Sequence, residues 1–139
     1  MCRNSTTFNI EGDAMAIDSL KLSTEGDAIL KEFVNSAGIQ GAVLATAEGL
    51  ELASAITDKT LDSELIASDA ASLLSVMAGI LDNTEKGTMD NMIIAAEGGF
   101  IAVKDLGEDI ALAVLAPANY KMGGLMVALK AFTQKLQSL

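Results

Sequence analysis

Carboxylates are the only side chains in this 139-residue chain numerous enough for acid–base or metal chemistry. Nineteen Asp and Glu stand against nine Lys and Arg, with no histidine and a single cysteine, Cys2. Without histidine there is no Ser-His-Asp or Cys-His arrangement. One cysteine supports neither an internal disulfide framework nor a Cys-based metal site. Glu48 precedes Gly49, and Glu108-Asp109 follows Gly107, so these acids fall in turns where solvated charge is the ordinary role. No G-x-x-x-x-G-K-[ST] phosphate loop is present. Two glycine pairs remain. Gly98-Gly99 suits a hairpin turn. Gly123-Gly124 opens a helical segment, where glycine costs up to about 1 kcal/mol. Close packing of that turn on its own sheet is the expected reason, and approach of a ligand or neighbouring element is the alternative. The inventory predicts no catalytic residues, no metal and no cofactor.

The net charge of −10 argues against nucleic acid, which is bound through basic faces, and against anionic membrane surfaces. Half the residues are hydrophobic, yet the longest uninterrupted runs, such as residues 110–118, are strand-length. The expectation is therefore a buried sheet with covering helices and no direct membrane insertion. Arg3 is followed by polar and acidic residues, not by an apolar signal core, so the expected location is cytoplasmic. Residues 1–20 read as a loose N-terminal tail, with Met15 an alternative start, and residues 21–139 as one domain.

Hydrophobic spacing then divides the chain. A helix from Ser23 or Thr24 as cap, with Glu25 and Asp27 in its first turn, places Ile29, Leu30, Phe33, Val34 and Ala37 on one face. Ile39–Thr46 and Leu50–Ile56 read as strands joined at Glu48-Gly49, with Glu51 and Ser54 on opposite faces. A long helix runs from Leu61 to Leu81, capped by Thr60 or Asp62. Met89–Ala96, Phe100–Asp105 and Ile110–Ala116 read as three more strands. A last helix, capped by Asn119, gathers Met122, Leu125, Leu129, Phe132 and Leu136 within about 80° of arc. Short links between consecutive strands require an antiparallel sheet.

Two features point outward. In the long helix, Ile66, Ala70, Leu73, Met77 and Ile80 form the expected core stripe. On the other side Ala67, Ala71, Ser75 and Gly79 recur every four residues, joined by Ser68 and Ala78, where charges would be usual and only Glu64 supplies one. Helix propensity explains alanine there but not Ser75 or Gly79, so this ridge is read as a contact with another subunit. The second feature is the strand Met89–Ala96, which carries no charge after Asp90. At a sheet edge it would need a partner, and pairing with its own copy across a two-fold axis supplies one; inside the sheet it would need none. The expected dimer interface is then Ala67, Ala71, Ser75, Ala78 and Gly79 with Met89, Asn91, Ile93 and Ala95.

Two stretches, "GAVLATAEGLELAS" (41–54) and "AAEGGFIAVKDLGEDIALAVLAPANYKMGGL" (95–125), together with the order of segments, resemble the Roadblock/dynein light-chain family, of the bacterial and archaeal small-GTPase-regulator type. The resemblance spans about Thr24 to Leu136 and departs at Thr46, where the family often has Asp. It implies an α+β, profilin-like fold in the order α-β-β-α-β-β-β-α, a five-stranded antiparallel sheet with helices on both faces. It further implies a homodimer, or a pair with a paralogue, joined through the third strand and second helix. The implied partner is a Ras-like small GTPase, seated over paired second helices on a surface of Asp62, Glu64, Leu65, Ser68, Asp69 and Ser72. The implied role is a regulator or scaffold that modulates GTP hydrolysis or localisation. A passive dimeric adaptor, such as a dynein light chain, is the alternative. The only arginine is Arg3, and Lys104 and Lys121 are poor substitutes, so an arginine finger is not expected.

Overall fold

In the computed structural model, residues 19–138 are described. They form α1 (Ser19–Ala37), β1 (Gly41–Thr46), β2 (Glu51–Ile56), α2 (Ser63–Asn83), β3 (Met92–Ala96), β4 (Gly99–Gly107), β5 (Ile110–Pro117) and α3 (Met122–Gln137). The strands make one antiparallel sheet in the order β2-β1-β5-β4-β3. The element order and sheet are those expected. The readings placed on residues 1–18, including Cys2, Arg3 and Met15, lie outside the described residues.

Alternation along β1 and β5 divides the core in two. Ala42, Leu44, Leu112 and Val114 point to the layer made by α1 and α3, where Leu22, Leu30, Leu125, Leu129 and Leu136 are fully or nearly fully buried. In that layer Phe33 and Phe132 stack with ring centroids 4.0 Å apart. Tyr120 donates its hydroxyl to the Ala37 carbonyl at 2.6 Å, closing the end of the layer. Val43, Ala45, Val103 and Ala113 point the other way, toward α2 alone. One face of the sheet is thus covered by two helices and the other by one.

Several local expectations are corrected. Helix α1 begins at Ser19, so Glu25 and Asp27 lie in its body and not its first turn. Thr24 accordingly donates back to the Lys21 carbonyl at 3.1 Å instead of capping the helix. Asp27 acts across the fold instead, where its carboxylate accepts the Ser54 amide at 2.9 Å. A bulge at Leu44/Ala45, facing Ala53 and Glu51, shifts the register of β2. Glu51 therefore accepts from Ser54 Oγ at 3.1 Å, and the two side chains do not diverge as simple alternation predicts. The hairpin after β3 turns at Glu97-Gly98, while Gly99 is the first residue of β4. At Gly99 φ is +145° and a Cβ would lie 2.1 Å from the Ala116 oxygen, so only glycine fits. Helix α3 starts at Met122 after Lys121, which makes no side-chain cap, so Asn119 is not the cap. Met122 is 44% exposed and does not belong to the core stripe.

Candidate interaction site

The site is built around α2 and the β3 edge. Asp58 and Asp62 set where α2 begins. Asp58 accepts from the Thr60 amide at 2.9 Å and the Thr60 hydroxyl at 2.6 Å, and these bonds hold its carboxyl below the usual value. Asp62 is the N-cap, accepting from the amides of Glu64 (3.0 Å) and Leu65 (3.3 Å). Glu51 on β2 also accepts from the Ser63 hydroxyl, tying the first turn of α2 to the sheet. Gly49 sits against the helix backbone, where a Cβ would come 3.2 Å from Ser68 Cα. The hairpin 41–54 is therefore a support for α2.

The rotation of α2 about its axis differs from the expectation. Its buried residues are Ala67, Ala70 and Ala71. Ala67 and Ala71, expected to face a second subunit, are inside the chain at 0% and 9% exposure. The small side chains let the helix approach its own sheet. Ser75, Ala78 and Gly79 of the same expected ridge lie outside the core, and nothing lies within 4 Å of a Cβ built at Gly79. Of the expected core stripe, Ala70 is buried, Ile66 and Leu73 pack half-buried against the sheet, Met77 is half-buried and Ile80 is 45% exposed. At 100° per residue, Ile66, Leu73, Ile80, Val76 and Leu65 continue the apolar arc from about 40° to about 140° beyond Ala70. Leu65 and Val76 are 58% and 59% exposed. Helix α2 is long and apolar enough by length and composition to cross a membrane, although no uninterrupted run in the sequence suggested it, because only isolated acids such as Asp69 break its apolar content.

Beside that flank the sheet is open. Helix α2 lies mainly over β1 and β5, and on this face no helix among the described residues lies over β3 and the adjoining part of β4. A groove of about 430 Å³ runs between them, lined by Ile66, Leu73 and Val76 of α2, Ile94 of β3, Ile101 and Val103 of β4, and Ala113 and Leu115 of β5. Asp69 and Ser72 stand on its rim.

The groove ends at an edge strand. Both edges of the sheet, β2 and β3, could recruit another strand, but they are treated differently. At β2, Asp27 takes up the Ser54 amide, and α1 approaches so closely that a Cβ on Gly26 would lie 2.5 Å from Ala53 Cβ. The β3 edge has no such cover among the described residues, and Met92–Ala96 carries no charge. Strand β3 begins at Met92, so Met89 and Asn91 precede it, both half-buried. Ile93 packs toward the α1/α3 core and Ala95 is exposed. The groove is met instead by Ile94, and Met92 packs on the Val103–Ala113 side. The expected interface positions on β3 thus point to the sheet face opposite α2, while the neighbouring residues carry the apolar surface beside it.

The expected GTPase surface is all outside the core. Asp62, Glu64, Leu65, Ser68, Asp69 and Ser72 are exposed along the N-terminal half of α2. Asp69 and Ser72 line the groove, Leu65 lies on the same side of the helix one turn earlier, and Ser68 adjoins the Gly49 turn. Lys104 is engaged elsewhere, donating to the Asp90 carbonyl at 3.0 Å and its carboxylate at 3.2 Å. Among the described residues no polar or charged side chain is buried.

A shared fold accounts for this arrangement. The Roadblock/LC7 domain family model matches residues 25–116, and the chain belongs to that family. It is 26% identical over 113 residues to the uncharacterised protein MJ1340 of Methanocaldococcus jannaschii, covering 81% of this chain and 97% of that protein. In three dimensions it is similar to MglB of Myxococcus xanthus, with a TM-score of 0.76, 17% identity, and coverage of 83% of this chain and 86% of that one. It is similar also to an MglB structure with a tetrameric arrangement, at a TM-score of 0.71, 16% identity, and coverage of 86% and 88%.

Proposed function

We propose that this chain is a non-enzymatic, self-associating scaffold that binds a Ras-like small GTPase and modulates its GTP hydrolysis or localisation. The observation that carries the reading is the apolar groove between α2 and the β3–β4 strip, ending at an uncharged, uncovered edge strand. A second copy paired at β3 would extend the sheet and bring its own α2 over the groove. Each fully buried Leu, Ile or Val contributes about 1.5–3 kcal/mol, and at least Val76, Ile80, Ile94 and Ile101 remain to be covered. Membership of the Roadblock/LC7 family and likeness to MglB, including a tetrameric MglB, support self-association.

The GTPase would sit on the N-terminal half of α2, where Asp62, Glu64, Leu65, Ser68, Asp69 and Ser72 are exposed. No arginine lies between residues 4 and 139, so any stimulation of hydrolysis proceeds by placing the switch loops of the GTPase and not by donating a guanidinium. The test is GTP turnover by small GTPases of the same genome with and without this protein. Turnover that changes, with a stable complex, supports the regulator. A stable complex with unchanged turnover supports the passive adaptor. No complex with any of them ends the GTPase reading.

A further inference from the structure

The β3 edge is bordered on the other face of the sheet by a second depression. Met126, Lys130 and Thr133 form one flank of α3, within about 60° of arc at 100° per residue. They face Asp90, Asn91 and Lys104 across a cavity of about 460 Å³. The other flank of α3 turns to α1, where Lys135 pairs with Glu32. The first flank therefore lies beside the open edge of the sheet. Gly123, at the start of the helix, has nothing within 4 Å of a built Cβ, so the close packing expected of the glycine pair is absent there.

Charge in this cleft is unequal. Its lining holds two ammonium groups, on Lys104 and Lys130, and one carboxylate, on Asp90. That carboxylate is taken: Lys104 donates to it at 3.2 Å and to the Asp90 carbonyl at 3.0 Å. Lys130 is exposed, and no salt bridge engages it among the described residues. The cleft has room for one more carboxylate, on the Lys130 side.

Strand register shows where one can come from. Ile93 opposes Ala102 and packs on the α1/α3 side, while Met92 opposes Val103 and packs on the α2 side. Odd-numbered positions of β3 therefore face α3 and even-numbered ones face α2. Residues directly opposed in an antiparallel pair share a face. Two copies that keep both α2 helices on one face must then pair odd with odd and even with even. Centred on Ile94, such a register pairs all five residues of Met92–Ala96 with all five of the other copy. Any shift leaves part of the strand unpaired. This register sets Ile94 opposite its own copy, and Asn91 opposite Glu97 of the second copy. Glu97 opens the turn after β3, is exposed, and makes no salt bridge among the described residues. We propose that, in a dimer paired at β3, the cleft beside α3 receives the Glu97-Gly98 turn of the second copy, with the Glu97 carboxylate on Lys130 and Ile94 on the two-fold axis. The contact forms twice, on the sheet face away from α2. A rim pair of this kind fixes register more than it adds affinity. The inference rests on the self-association proposed above and goes beyond it in naming the register and the residue each copy lends the other.

Two measurements on the full chain test this. The first is cross-linking in a Cys2→Ser background. Directly opposed residues lie about 4.5–5.5 Å apart at Cα, inside disulfide range. Ile94→Cys should therefore give a covalent dimer on mild oxidation. Ile93→Cys and Ala95→Cys should not, because each lies diagonal to its own copy, about 7–8 Å away. The second is the dimer dissociation constant, from light scattering on dilution. Lys130→Glu or Glu97→Lys should raise it at least about threefold, since an exposed ion pair is weak but occurs twice. The two changes together should return it to within about twofold of wild type. Both positions are exposed, so the protomer stays folded. Cross-linking through Ile93→Cys or Ala95→Cys, a dimer that Ile94→Cys does not link, or charge reversals whose effects simply add would each overturn the proposal and leave self-association standing. A wild-type chain of single mass would end both.

Discussion

At the scale of single residues, Gly99 carries the tightest steric constraint: the close approach of β4 to the Ala116 carbonyl excludes any side chain there. Gly99→Ala should therefore destabilise the fold by several kcal/mol, about the scale of a forced backbone clash, measured by denaturant midpoint. In the sequence the same residue reads only as half of a hairpin turn, because the carbonyl that excludes a Cβ belongs to another strand. Glu108 and Asp109 both adopt positive φ, 56° and 60°, in the turn between β4 and β5. That geometry is natural for Asn-Gly and strained for these acids. The change Glu108→Asn with Asp109→Gly should stabilise the protein by about 0.5–1 kcal/mol. Asp62 was legible as a cap, and Asp62→Ala should cost about 1 kcal/mol. Glu32 is exposed, and its bond and charge contact with Lys135 hold its carboxyl below the usual value. Such a lowered acid contributes stability that is complete above the ordinary carboxylate range and is lost as the pH falls through the lowered value. Glu32→Gln should slightly flatten the fall in stability below about pH 4.5, a small effect at an exposed site.

At the scale of elements, what the sequence revealed depended on how far the controlling contact lay. The order of helices and strands and the N-terminus of α2 were readable, because periodicity and capping are local, whereas the edge position of the charge-free strand depends on the sheet order. The rotation of α2 was not. Its apolar residues cover a wider arc than one sheet face needs, and periodicity cannot say which part of a wide arc turns inward. Close packing chose the alanines, leaving Leu65, Val76 and Ile80 outside. The bulge at Leu44/Ala45 was hidden for a similar reason, since it depends on the pairing of two strands. This rotation changes what a substitution means. Ala71→Glu places a charge inside the protomer and should cost several kcal/mol in stability. A charge on the open side, such as Val76→Glu or Ile94→Lys, should leave the protomer folded and split a dimer. Circular dichroism against light scattering separates the two outcomes.

At the scale of the molecule, the two sheet faces are unequal. Helices α1 and α3 close one face around the Phe33–Phe132 stack, while among the described residues α2 leaves a strip of β4 and β3 uncovered beside the β3 edge. The β2 edge, by contrast, is blunted by Asp27 and the close approach of α1. On the proposed reading, a second copy would answer both the edge and the groove in one contact, and the exposed N-terminal half of α2 would be displayed twice across a two-fold axis. The most direct measurement is the mass, by light scattering, of this chain at micromolar concentration, alone and mixed with a GTP-analogue-loaded small GTPase of the same genome. The expected particle has twice the chain mass and gains mass on adding the GTPase, with Ile94→Lys reducing the chain to single copies. A wild-type chain of single mass, or a double-mass particle that takes up no GTPase, would refute the dimeric, GTPase-binding reading.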